Sequence, residues 1–150
     1  MNMNQKTINR AGEVIASKEN YVGGGVEGYA VLSLIDEHGY PTASVLTIVK
    51  ADGIKWITFA TTPDSNKAMR IAKCNRASVC IACSEYNITL VGTIEVVTDS
   101  AAKKDMWLEA MNGGPHWNGY DDPNFYVLKF STERYNLAFL DDGSEAVGTL

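Results

Sequence analysis

Between Thr61 and Lys67 the chain reads Thr-Thr-Pro-Asp-Ser-Asn-Lys, which gathers three hydroxyls and one ammonium group within seven residues. An anionic ligand needs such donors where a strand hands over to a helix. The first backbone N–H groups of a helix lack partners within it, and the helix dipole favours negative charge there. Trp56–Ala60 precedes the motif as a strand and Ser65–Lys73 follows as a helix. The spacing therefore predicts a phosphate site at the corner. The same residues also fit a plain strand–turn–helix, with Asp64 or Ser65 as the N-cap and Lys67 in solvent.

Other chemistry is sparse. Cys80-Ile81-Ala82-Cys83 spells C-x-x-C. Residues three apart in an extended strand point to opposite faces, and no second ligand pair accompanies them, so both cysteines read as core thiols and no metal is expected. His38 falls in a polar turn and reads as solvent-exposed. His116 lies in the Gly113–Pro123 loop beside Trp117 and Tyr120; such aromatic loops cover ligands or remain ordinary surface. Neither a Gly-x-Ser-x-Gly elbow nor a pair of facing carboxylates occurs. An anion site without an internal nucleophile fits a cofactor-dependent enzyme, in which the cofactor brings the reactive atoms.

The elements that must position these residues are mostly strands. Thr7–Lys18 has Ile8, Ala11, Val14 and Ile15 at helical spacing and predicts a short amphipathic helix. The run from Tyr21 to Gly28, with Gly23-Gly24-Gly25, reads as a flexible connection because no Gly-Lys-Ser follows it. Tyr29–Ile35 and Thr42–Val49 form a hairpin around Gly39 and Pro41, and Ala51-Asp52-Gly53 turns the chain into Ile54–Ala60. Ala77–Cys83 is nearly all apolar and predicts a strand buried on both faces. Ile88–Val97 is a long strand with a bulge or bend at Gly92. Ser100–Asn112 predicts a helix capped by Ser100, with Met106, Trp107, Ala110 and Met111 on its buried side. Phe125–Phe130 and Tyr135–Leu140 predict two final strands, and the tail after Asp141 reads as frayed. Six or seven mostly antiparallel strands with a few helices imply an α+β fold built on a small β-barrel. With no internal repeat and no linker, residues 1–150 read as one domain.

Composition bounds the partners. A net charge of −5 with no basic, aromatic-interleaved run argues against nucleic acid. No apolar stretch reaches transmembrane length, and Met1–Arg10 lacks the apolar core of a signal peptide, so a cytoplasmic protein without a membrane partner is expected. Three cysteines are an odd number, unsuited to a disulfide framework.

The order of elements, together with Gly-Tyr-Pro-Thr-Ala-Ser-Val-Leu-Thr-Ile, Phe-Ala-Thr-Thr-Pro-Asp-Ser-Asn-Lys and Asn-Ile-Thr-Leu-Val-Gly-Thr-Ile-Glu-Val-Val, resembles the pyridoxamine 5′-phosphate oxidase-like, FMN-binding split-barrel family from about Glu13 to Leu140. That resemblance implies a six-stranded, mostly antiparallel split β-barrel and a homodimer with FMN in each of two interface clefts. By position it places the flavin phosphate at Thr61, Thr62, Ser65 and Lys67, with Asn66 close by and Ala60 beside them. It lays Ser44, Val45, Leu46 and Thr47 along the isoalloxazine and ribityl chain, and Asn87 near the ring. Many members carry arginine where this chain has Ser44 and Asn66, so the resemblance leaves Lys67 as the one strong cation for the phosphate. The Arg-x-His segment of the true oxidases is missing from the C-terminal residues, which makes vitamin B6 oxidation an unsuitable expectation and the short general-stress-like bacterial members the better likeness. The implied function is an FMN-dependent oxidoreductase passing electrons between a reduced nicotinamide and a small acceptor. A non-catalytic flavin or haem binding or sensing protein is the alternative. Trp117 is expected to cover the flavin from the partner subunit.

Overall fold

The computed structural model describes residues 1–19 and 28–150; the Gly23-Gly24-Gly25 connection lies outside the described residues. Helix α1, Met3–Ala16, begins where the Asn2 side chain accepts from the backbone N–H of Gln5, four residues earlier than the apolar spacing alone indicates. Its buried Ala11 and Ile15 join the core. Strands β1, Tyr29–Ile35, and β2, Pro41–Thr47, pair in register from Tyr29–Thr47 to Ile35–Pro41. The turn between them is held by Asp36, whose Oδ1 accepts from the N–H groups of His38 and Tyr40, both at 2.9 Å. Gly39 takes a φ of 83° there, a conformation that side chains disfavour.

Strand β3, Ala51–Asp52, turns through Gly53 into β4, Trp56–Thr61. Helix α2, Asn66–Lys73, follows with Ser65 as its N-cap. Strand β5, Arg76–Ala82, alternates between buried and partly exposed residues, with only one face in the core. This corrects the expectation of burial on both faces. The core-thiol reading falls with it: Cys80 is half-buried on the outer face and Cys83, just past the strand, is exposed.

Strand β6, Tyr86–Val97, changes register at Val91/Gly92, the bulge its glycine predicts. A Cβ on Gly92 would come within 1.9 Å of the Ser131 carbonyl oxygen, so no other residue fits. Helix α3 spans only Ser100–Met106 and is capped by Asp99, whose carboxylate accepts from the N–H of Ala102. The longer helix expected through Asn112 breaks because Trp107 is extended and lays its indole edge-on against Phe125, with centroids 5.1 Å apart. A short 3₁₀ turn, Glu109–Met111, follows, and Ala110 is exposed.

The two expected C-terminal strands are one, β7, Tyr126–Phe139, which runs along β6 past the Gly92 bulge. The tail is ordered as well: β8, Glu145–Thr149, pairs with Arg134–Ala138 of β7. Arg10 of α1 ties down the turn between β7 and β8 by reaching Asp141 at 2.6 Å and Asp142 at 3.1 Å.

Among the described residues eight strands form one antiparallel sheet in the order β2-β1-β5-β6-β7-β4-β3, with β8 on β7; β3 and β8 are the additions to the expected six. The sheet curls around Leu32, Ile57, Phe59, Val79, Leu90 and Phe130, all fully buried. Its two ends meet just beyond β2, where Val49 N–H donates to Thr58 O at 2.9 Å and Thr58 N–H donates to Lys50 O at 2.8 Å. Elsewhere, among the described residues, β2 pairs only with β1, and β4 only with β3 and β7. The barrel is therefore closed at one end and split at the other. Among the described residues no helix is long and apolar enough to cross a membrane.

Candidate functional site

The split between β2 and β4 opens into a cavity of about 510 Å³. Its inner wall is Val45, Leu46 and Thr47 of β2, continued by Ile48 and Val49, and its far wall includes Ala60 of β4. The chain from α3 to β7 forms the third side through Leu108, Met111, His116 and Trp117. Among the described residues no Asp, Glu, Lys or Arg lines it. Such a cavity suits a flat, uncharged, largely apolar group. Val45, Leu46, Thr47, Ala60 and Trp117 are thus brought together by the structure, while Leu108 and Met111 add a wall that residue type alone does not signal.

Trp117 is fixed in this wall. Its indole N–H donates to the carbonyl of Asn124 at 2.8 Å, and its ring stands edge-on to Phe125, with centroids 5.2 Å apart. Asp122 organises the loop beneath it, accepting from Asn118 N–H and Asn124 N–H, both at 2.9 Å. Those two N–H groups, Asn118 first, and the nearby Lys103 charge hold the Asp122 carboxyl below the usual carboxylate range. The Lys103 ammonium in turn donates to the Asp122 carbonyl at 3.0 Å. The loop stands over the cavity of its own chain.

At the open end of the split lies the strand-to-helix corner. Thr61 ends β4, Thr62 Oγ1 donates to Asp64 Oδ1 at 2.7 Å, and Ser65 N–H donates to Thr62 O at 3.1 Å. Ser65 Oγ accepts from Ala68 N–H at 3.3 Å, which leaves its own hydroxyl proton available. As the first residues of α2, Asn66 and Lys67 have backbone N–H groups with no acceptor among the described residues. Thr61, Thr62, Ser65, Asn66 and Lys67 therefore sit together as a donor-rich corner, with the Thr62 hydroxyl already engaged. Ser44 lies on β2 opposite Leu32, on the strand face it shares with Thr42 and Leu46.

Asn87 is placed elsewhere. It is exposed near the start of β6, pairs with Ala82 and Ala138, and accepts from Thr89 Oγ1 at 3.4 Å and from the Cys80 thiol at 3.7 Å. It does not line the cavity of its own chain. His38 is exposed, as its turn position predicts.

One charged residue escaped the sequence reading. Arg70 of α2 donates from Nη1 to Thr42 Oγ1 on β2 at 3.1 Å. It lines a second cavity of about 530 Å³ with Asn66, Met69, Lys73, Asp36 and Glu37. No local motif signals it, because its partner is 28 residues away in the chain.

The family model for pyridoxamine 5′-phosphate oxidase matches residues 27–138. The chain belongs to the pyridoxamine 5′-phosphate oxidase family. Its fold is that of solved family structures at low identity. A protein related to general stress protein 26 from Clostridium acetobutylicum is 22% identical, covering 100% of this chain and 97% of that one with a TM-score of 0.79. General stress protein 26 of Bacillus anthracis is 18% identical, covering 97% and 98% with a TM-score of 0.67. A pyridoxamine 5′-phosphate oxidase-related, FMN-binding protein of Nostoc punctiforme is 16% identical, covering 81% and 86% with a TM-score of 0.63. No curated protein sequence matches the chain. The split barrel of the oxidase family thus frames both the apolar cavity and the donor-rich corner.

Proposed function

We propose that the chain is an FMN-binding flavoprotein that passes electrons between a reduced nicotinamide and a small acceptor. One observation carries this reading: a cavity of about 510 Å³, without a charged side chain among its described lining residues, lies in the same barrel split as a corner of free N–H groups, hydroxyls and Lys67. The two halves of the site match the two halves of the cofactor, a flat heteroaromatic ring and a phosphate. Membership of the oxidase family and the likeness to an FMN-binding protein add support.

In this reading Lys67, Ser65 and Thr61 hold the phosphate, Thr62 offers its backbone N–H because its hydroxyl is given to Asp64, and Asn66 and Ser44 lie at the edge. The backbone of Val45, Leu46 and Thr47 orients the ring against Ala60, and Trp117 keeps water from its outer side. The bound flavin supplies hydride and single-electron chemistry that no side chain here offers. Val45, 57% exposed on the edge strand β2, and Asn87, remote from the cavity of its own chain, favour a homodimer in which a second copy completes the site.

The test is the absorption spectrum of the purified protein, with mass analysis of whatever is released on denaturation. A flavin spectrum and released FMN are expected; colourless protein that fails to bind added FMN removes the reading. Light scattering should report a dimer. Among the described residues the lining holds one imidazole, His116, and no carboxylate, which favours a carrier or sensor of flavin or haem as the second reading. Steady-state turnover of NADH or NADPH with an acceptor would exclude that second reading.

A further inference from the structure

We infer that Arg70 is a second cation for the anionic end of the ligand, reaching the corner from one helical turn away; this rests on the proposal that the corner holds a phosphate. Side chains of an α-helix lean back over the turn N-terminal to their own Cα. The Arg70 guanidinium is thereby carried toward Asn66, its neighbour at i−4, and both line the same cavity. It does not stop at the helix. Arg70 Nη1 donates to Thr42 Oγ1 at 3.1 Å, and Thr42 is two residues from Ser44 on the same face of β2. The guanidinium thus bridges β2 and α2, the two elements that frame the wide end of the split.

Its hydrogen bonding is incomplete. Nε is buried and, among the described residues, has no acceptor. The nearest carboxylate oxygen, Glu37 Oε2, stands at 3.8 Å, too far for a hydrogen bond and close enough for a weak ion pair. Nε itself is closed to solvent, so an incoming phosphate oxygen would be met by the outer Nη groups of the same guanidinium, whose side chain is 24% exposed. Glu37 is then a competitor: its exposed carboxylate draws on the same guanidinium and repels an anion. Asp36, in the same cavity wall, is less available, because Oδ1 already accepts two backbone N–H groups.

The experiment compares FMN with riboflavin, which carries the same ring without the phosphate, by fluorescence titration of flavin-free protein. Arg70→Gln is expected to weaken FMN about tenfold while changing riboflavin less than about twofold. Arg70→Lys keeps the charge and should retain part of the preference for FMN. Glu37→Gln, an exposed substitution that leaves the fold intact, should tighten FMN about threefold and leave riboflavin unchanged. If FMN binds and both Arg70→Gln and Glu37→Gln keep the wild-type ratio of FMN to riboflavin affinity, the role of Arg70 is overturned and the flavin site stands. If the wild-type protein binds riboflavin as tightly as FMN, the phosphate corner itself falls, and Arg70 with it. Should Arg70→Gln fail to fold, the Glu37→Gln result decides alone.

Discussion

Trp117 donates its indole N–H to the carbonyl of Asn124 at 2.8 Å, so the ring that walls the cavity is held by the loop that carries it. Trp117→Ala should lower the affinity for FMN about tenfold and cost about 2 kcal/mol of stability, less than a fully buried tryptophan because one side faces the cavity. Fluorescence titration and urea denaturation check the two parts. Unchanged flavin affinity and fluorescence would reduce the loop to ordinary surface.

Lys67 should matter to the phosphate and to little else. With no side-chain partner among the described residues, its ammonium contributes nothing visible to the fold. Lys67→Ala is expected to weaken FMN about tenfold, to spare riboflavin, and to leave the urea midpoint unchanged. A parallel loss of riboflavin binding would place Lys67 against the ring instead.

Acid should loosen the cavity wall through Asp122. Its folded-state pKa is depressed, so the stability it contributes is present above its unfolded pKa, about 4, and disappears as pH falls through the lower folded value. Trp117 emission should therefore shift below about pH 4, and Asp122→Ala should show that shifted emission already at pH 7. A wild-type spectrum constant down to pH 2 would detach Asp122 from the loop.

Closure of the barrel depends on a hydroxyl as well as on backbone. Thr58, fully buried, accepts Lys50 N–H on Oγ1 at 3.1 Å and donates its proton to Lys50 O at 3.3 Å. Thr58→Val keeps the shape and removes both bonds, at a cost of about 2 kcal/mol. Urea denaturation measures it; a loss below about 0.5 kcal/mol would mean that the two backbone bonds hold the closure unaided.

What the sequence carried well was local. Gly39, Gly53, Gly92 and Ser65 each mark a turn, bulge or cap whose chemistry lies within a few residues, and each appears where its type demands. The wall formed by Val45, Leu46, Thr47 and Ala60 followed from family likeness, which encodes a three-dimensional arrangement that hydrophobic periodicity does not. Apart from the caps at Asn2 and Asp99, the losses are long-range. Helix α3 stops early because Trp107 finds Phe125, β8 is ordered because β7 offers it an edge, and Arg70 acts through Thr42 on a different element. Cys80 and Cys83 depart from the core-thiol expectation for a related reason: an apolar run suggests two-sided burial, and only the sheet's place in the barrel tells which face is covered.

The junction of β2 and β4 has a practical consequence. Two amide protons, those of Val49 and Thr58, cross from one sheet end to the other, and the cavity begins directly beside them. Whatever occupies the cavity bridges the same two strands and resists their parting. The hydrogen–deuterium exchange of these two amides is therefore a site-resolved gauge of occupancy, readable without colour, turnover or any knowledge of the substrate.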